Sequence, residues 1–159
     1  MHARSWSVLQ SGEGDVRDLR PPARSGRVVI KVDPARSKSA RMAMGTQLIE
    51  AGGLIPVHLH EQQDEILFVL SGRGTAVIEG ERIPVDAGAT LFVPEGVWHG
   101  VENTGHEVLH LLWVITPPGL EAMFRDISVP PGAPGTPMSQ EEFVALARRH
   151  GMRLRQAEG

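Results

Sequence analysis

His58 and His60 stand one residue apart in Pro56-Val57-His58-Leu59-His60. Side chains alternate across a β-strand with period two, so both imidazoles leave the same face and can converge on one point. Glu65 lies five residues beyond His60. It opens the apolar run Glu65-Ile66-Leu67-Phe68-Val69-Leu70, and the polar Glu61-Gln62-Gln63-Asp64 reads as the tight connection of a hairpin. A third histidine, His99, closes Pro94-Glu95-Gly96-Val97-Trp98-His99 at the start of another strand. Three imidazoles and a carboxylate form a ligand set for a divalent transition metal. Imidazole suits Zn, Cu, Fe and Ni, and the carboxylate keeps Mn open. With a dication the site carries a net charge near +1, and an octahedral ion held by four side chains keeps two positions free. Such a centre favours anionic chelating oxygens, as in enolates, α-keto acids and catechols. It can polarise them, acidify bound water or hold substrate beside O2.

Other chemistries are excluded by composition. The chain has no cysteine and no tyrosine. There is therefore neither a disulfide framework nor a thiolate nucleophile, and any general acid or base comes from His, Glu, Asp, Lys, Arg or metal-bound water. The formal net charge of −3 comes with no basic stripe, which argues against nucleic acid as a partner. No apolar run is long enough to cross a bilayer. The first residues lack the apolar core of a secretory signal, so the cytoplasm is the expected location.

The remaining candidates have simpler readings. Arg36, Lys38 and Arg41 among small residues read as a solvated loop, or as a patch meeting an anionic substrate. His106 follows Asn103-Thr104-Gly105 and is expected to be exposed in a turn. His110 alternates within a strand, which leaves it on either face. Trp98 points away from His99 on a regular strand and reads as packing.

The elements that must position these residues are short. Trp6-Ser7-Val8-Leu9 suggests an edge strand, and the rest of the first segment, 1–27, reads as an arm of loop. Val28 to Val32 is a strand, and Met42 to Glu50 is another whose methionines read as core filler. Gly-rich turns then separate Glu65 to Leu70, Thr75 to Glu79, Arg82 to Val85, Thr90 to Val93 and Val108 to Ile115. Short strands at such spacing predict an all-β antiparallel barrel over 28–116. Beyond it, 117–159 reads as a helical tail packed on the barrel. Leu120, Met123, Phe124 and Ile127 recur at helical spacing. Ser139 and Glu142 make a capping box, and Gly151 a stop. Met123 and Phe124 also suit a lid over the barrel mouth.

The spacing resembles a known family. Gly52, five residues, His58-Leu59-His60, four residues, Glu65, six residues and Gly72 match the first cupin motif. Gly88, five residues, Pro94-Glu95-Gly96, two residues, His99, three residues and Asn103 match the second. At background frequencies of a few per cent per residue type, such coincidence arises in fewer than roughly one in a billion chains. The resemblance implies a double-stranded β-helix, or jelly-roll barrel, with His58, His60, Glu65 and His99 as metal ligands. The short gap between the motifs and the tail resemble small bacterial cupins of quercetin-dioxygenase-like type. That implies a metal-dependent dioxygenase acting on a small oxygenated organic substrate, with Glu65 able to serve as catalytic base. The alternatives are a cupin isomerase, lyase or decarboxylase of small acids or sugars, and a non-catalytic small-molecule-binding cupin. Cupin resemblance also implies a homodimer, for which Val28 to Val32 is the candidate edge.

Overall fold

The computed structural model describes residues 6–23 and 26–155. In chain order the elements are β1 (Asp15–Leu19), β2 (Arg27–Val32), α1 (Pro34–Ser37), β3 (Ala43–Ile49), β4 (Leu54–His60), β5 (Asp64–Ser71), β6 (Arg73–Ile78) and β7 (Glu81–Asp86). There follow β8 (Thr90–Val93), β9 (His99–Glu102), β10 (Leu109–Thr116), α2 (Leu120–Asp126), β11 (Ser128–Val129), α3 (Gln140–Arg149) and β12 (Met152–Leu154). The strands form two antiparallel sheets, ordered β11-β1-β2-β3-β10-β5-β8 and β12-β4-β9-β6-β7. The two faces that meet carry the alternating apolar residues. On β5, Glu65, Leu67 and Val69 are buried, while Ile66 and Leu70 face outward. On β10, Leu109, Leu111, Trp113 and Ile115 fill the same interior, and His110 lies on the outer side. This is the expected all-β jelly roll with a short helical tail.

Several local expectations are corrected. β4 and β5 are not a hairpin. β4 is flanked by β12 and β9, and β5 by β10 and β8, so Glu61–Asp64 carries the chain from one sheet to the other. Trp6 to Leu9 forms no strand, whereas β1 does, although three of its five residues are charged. Those charges are neutralised laterally. Asp18 pairs with Arg27, its register partner on β2, at 2.6 Å, and Asp15 pairs with Arg17 at 2.7 Å. β2 is consequently interior to its sheet, not the free edge expected for dimerisation. Met42 is exposed and Met44 half-buried on the outer face of β3, so neither fills the core.

The helices of the tail bury apolar residues in the same core as the strands. Leu120, Met123 and Phe124 of α2 and Phe143 and Ala147 of α3 are buried, and the capping box of Ser139 and Glu142 is present. After the stop at Gly151 the chain adds β12 to the edge of β4. Trp113 links sheet to tail, its ring centroid 5.4 Å from that of Phe124. Space for the indole comes from Gly45, its register partner on β3. A Cβ at Gly45 would lie 2.3 Å from the Val29 carbonyl oxygen and 2.4 Å from Trp113 Cζ2. Gly45→Ala is therefore expected to cost about 1–3 kcal/mol through overpacking. A lower urea midpoint at unchanged m-value would register it, and an unchanged midpoint would refute the contact.

Candidate metal centre

β4 brings His58 and His60 to the inner face, and β9 adds His99, the register partner of His58. β5 contributes Glu65 from the opposite sheet. All four are buried, none more than 5 % exposed. One ligating atom from each lies within 4.8 Å of all the others. The sequence brought forward these four, and the fold brings these four together. Their convergence requires both sheets, because the period-two argument alone joins only the histidines of β4.

Backbone carbonyls set the tautomers. His58 Nδ1 donates to the Pro56 carbonyl at 2.7 Å, and His99 Nδ1 donates to the Val97 carbonyl at 2.9 Å. Each ring then turns an Nε2 lone pair toward the centre, an arrangement typical of metal-binding histidine. His60 has no hydrogen-bond partner for either ring nitrogen, although both are buried. Its Nε2 lies 3.4 Å from Glu65 Oε2, close enough for charge attraction but without hydrogen-bond geometry. His99 Nε2 is 2.8 Å from the same oxygen. Two lone-pair atoms at that separation need a cation between or upon them, either a proton or a metal.

The electrostatics agree. Burial, reinforced by His99 and His60, pushes the His58 imidazole well below its ordinary pKa and keeps it neutral. Burial acts against ionisation of Glu65, but His60 and His99 outweigh it and hold the carboxyl below the usual range. For His99 burial favours the neutral ring, and the Glu65 carboxylate overrides it and raises the pKa. An orphaned buried imidazole, two inward lone pairs and one anionic carboxylate fit a divalent metal.

The centre opens on one side. His58 and Glu65 border an apolar cavity walled by Met123 and Phe124 of α2, Phe143 of α3 and Met152 of β12. Met123 and Phe124, for which a lid was the alternative to plain packing, stand in the wall of this cavity. The cavity has room of about 50 Å3 for water-sized molecules. On that measure it holds roughly three or four waters, or about 100 Å3 of liquid, which is the size of one small ring. Gln47 of β3, 3 % exposed, is the lining residue that sequence reasoning missed. Its signal was a polar residue on the inward face, between Gly45 and Ile49.

The other candidates lie elsewhere. His106 is exposed, and His110 is on the outer face of β10. Arg36, Lys38 and Arg41 are exposed and do not line the cavity. Trp98 lies beneath the guanidinium of Arg155, 4.9 Å from its ring centroid, outside the cavity. Asn103 is structural. Its amide donates to the carbonyls of Ile49 at 2.7 Å and Glu107 at 2.8 Å, tying two loops together.

Residues 45–115 match the family described as Cupin domain. With the two-sheet barrel and the clustered His/His/Glu/His set, the chain belongs to the cupin superfamily and is a small metal-binding cupin. The crystal structure of a predicted oxalate decarboxylase from Thermotoga maritima superposes with TM-score 0.61 at 26% identity, covering 70% of this chain and 100% of that one. The oxalate-binding protein of Thermotoga maritima is 38% identical over 40% of this chain and 53% of its own length. Gentisate 1,2-dioxygenase of a Ralstonia species is 28% identical over 58% of this chain and 27% of its own length. The first curated relatives are matched over only about half to two thirds of their length. Among the described residues no helix is long and apolar enough to cross a membrane.

Proposed function

We propose that the protein is a metal-dependent dioxygenase acting on a small oxygenated organic substrate. His58, His60, Glu65 and His99 serve as its metal ligands. The observation that carries this reading is the border that His58 and Glu65 of the buried His/His/Glu/His cluster share with an apolar cavity, a place where substrate could meet the metal. The metal supplies Lewis-acid or O2 chemistry when bound. The protein's part is to orient the imidazoles through Pro56 and Val97, to exclude water with α2 and α3, and to offer Glu65 as a base. Glu65 is suited to that last part because it borders the cavity as well as the histidines. The gentisate dioxygenase relative supports the reaction class. A second reading, a non-redox enzyme or binder of small acids, is favoured by the oxalate-binding relative. The proposal includes a homodimer, supported by the exposed Phe92, Ile66 and Leu70 on the outer sheet face.

Metal analysis of protein purified without added metal or chelator, joined to oxygen-electrode assays with enolic and catecholic substrates, tests the reading. Iron, copper, nickel or manganese near one per chain with substrate-dependent O2 uptake is the expected result. Zinc with turnover but no O2 uptake would replace it with the second reading, and no metal even after reconstitution would remove both.

A further inference from the structure

The cavity's lining gives a charge argument that the metal ligands alone do not. Among the described residues, and apart from His58 and Glu65, the only side chain with a polar group that lines it is the neutral amide of Gln47. No lysine or arginine is among the described residues around it. Three neutral imidazoles, one carboxylate and a divalent ion leave a net charge near +1. A chelator that binds as a monoanion brings the buried centre to neutrality. Oxalate, a dianion, leaves it near −1 in an apolar enclosure with no counter-cation, and an unpaired buried charge is costly. The walls add a second preference. Leu120, Met123, Phe124 and Phe143 offer apolar and aromatic contact that a ring can use and oxalate cannot.

We propose that this cavity takes a singly ionised, ring-bearing ligand with two adjacent oxygen donors, of catechol, tropolone or enolone type, and discriminates against small dianions such as oxalate. The inference rests on the metal-centre reading, and it departs from what the Thermotoga maritima relatives are named for. Leu154, half-buried on β12, is a specificity-determining position. It is the register partner of His58 and lines the cavity, so a cation placed there would add a charge to a wall that now has none.

The test is calorimetric titration of the zinc-loaded full chain with tropolone and with oxalate. The ratio of the two dissociation constants is compared with the ratio both show toward aqueous zinc in the same buffer. The protein is expected to shift that ratio at least tenfold toward tropolone, and Leu154→Lys to take back at least tenfold in favour of oxalate. An unshifted ratio, or a shift toward oxalate, overturns the proposal. If Leu154→Lys does not fold, the wild-type ratio decides. If the chain takes up no zinc, the metal reading fails on its own, and the same titrations on metal-free protein decide the ligand class. Weak tropolone binding without oxalate binding upholds the class. Oxalate binding, or neither, overturns it.

Discussion

His60→Ala is expected to lower zinc or manganese affinity by at least about 100-fold while the chain stays folded, since even residues that only orient a metal ligand are worth 10–100-fold. The metal-free protein supplies the reference for this result. Both ring nitrogens of His60 are buried without a hydrogen bond, a state that carries a desolvation cost. Removing the ring removes that cost, but it also leaves a cavity and takes away the attraction to the Glu65 carboxylate. In the absence of metal these effects oppose each other, and the variant should melt close to the wild-type temperature. With metal the wild type pulls ahead, because ligand binding stabilises the native state in proportion to its affinity and the variant forgoes that gain. Two measurements check it: metal per chain by mass spectrometry after desalting, and melting temperature with and without added metal. Wild-type stoichiometry in His60→Ala would remove His60 from the ligand set. A variant already less stable without metal would mean that the ring is packing the core.

His58 and His60 were readable because they stand two apart on one short strand, where a period-two pattern needs no tertiary information, whereas Glu65 and His99 were legible through the fixed spacing of the two motifs. The motif glycines were readable for the same reason. Gly72 has φ +85 and its Cβ position would meet the Val108 carbonyl at 2.7 Å, a demand that one residue type satisfies. What sequence did not reveal depends on pairing at a distance. β1 reads as polar because its charged residues find their partners in other elements, Asp18 in Arg27 on β2 and Asp15 in Arg125, 110 residues further on. The partition of β4 and β5 between two sheets is invisible locally, since a corner and a hairpin use the same polar connector. The cavity was hidden too. Its wall is a helix whose apolar face was legible as amphipathic, but what that face covers is decided by the docking of α2 between α3 and β1.

That docking is held from the outside by charge, and Arg125→Ala is expected to release it. Arg125 leaves the face of α2 opposite Met123 and Phe124. Its Nε donates to Asp15 at 2.9 Å, and a second nitrogen donates to Asp33. Asp33 is 0 % exposed and caps α1 by accepting from the Arg36 amide at 2.8 Å, so it cannot turn to water when Arg125 is lost. Breaking a fully buried ion pair costs about 3–5 kcal/mol. Arg125 is itself 32% exposed, and screening reduces the expected loss to about 2 kcal/mol. The pH dependence identifies the cause. Burial opposes ionisation of Asp15 and Asp33, but hydrogen bonds from Arg17 and Arg125 to the first, and from Arg125 and the Arg36 amide to the second, lower both pKa values. A lowered carboxyl stabilises the fold above its unfolded pKa, near 3.8, and loses that contribution as pH falls through the folded value. The gap between wild type and Arg125→Ala should therefore be constant from pH 5 to pH 8 and close as the solution is acidified below about pH 4. Urea unfolding across that range measures it, and Trp113 emission, read in a background with Trp6→Phe and Trp98→Phe, reports whether Phe124 has moved, since the two rings are in contact. A gap that persists in acid would mean that Arg125 acts through the packing of its methylene stem, and α2 would then be held against the cavity by apolar contact alone.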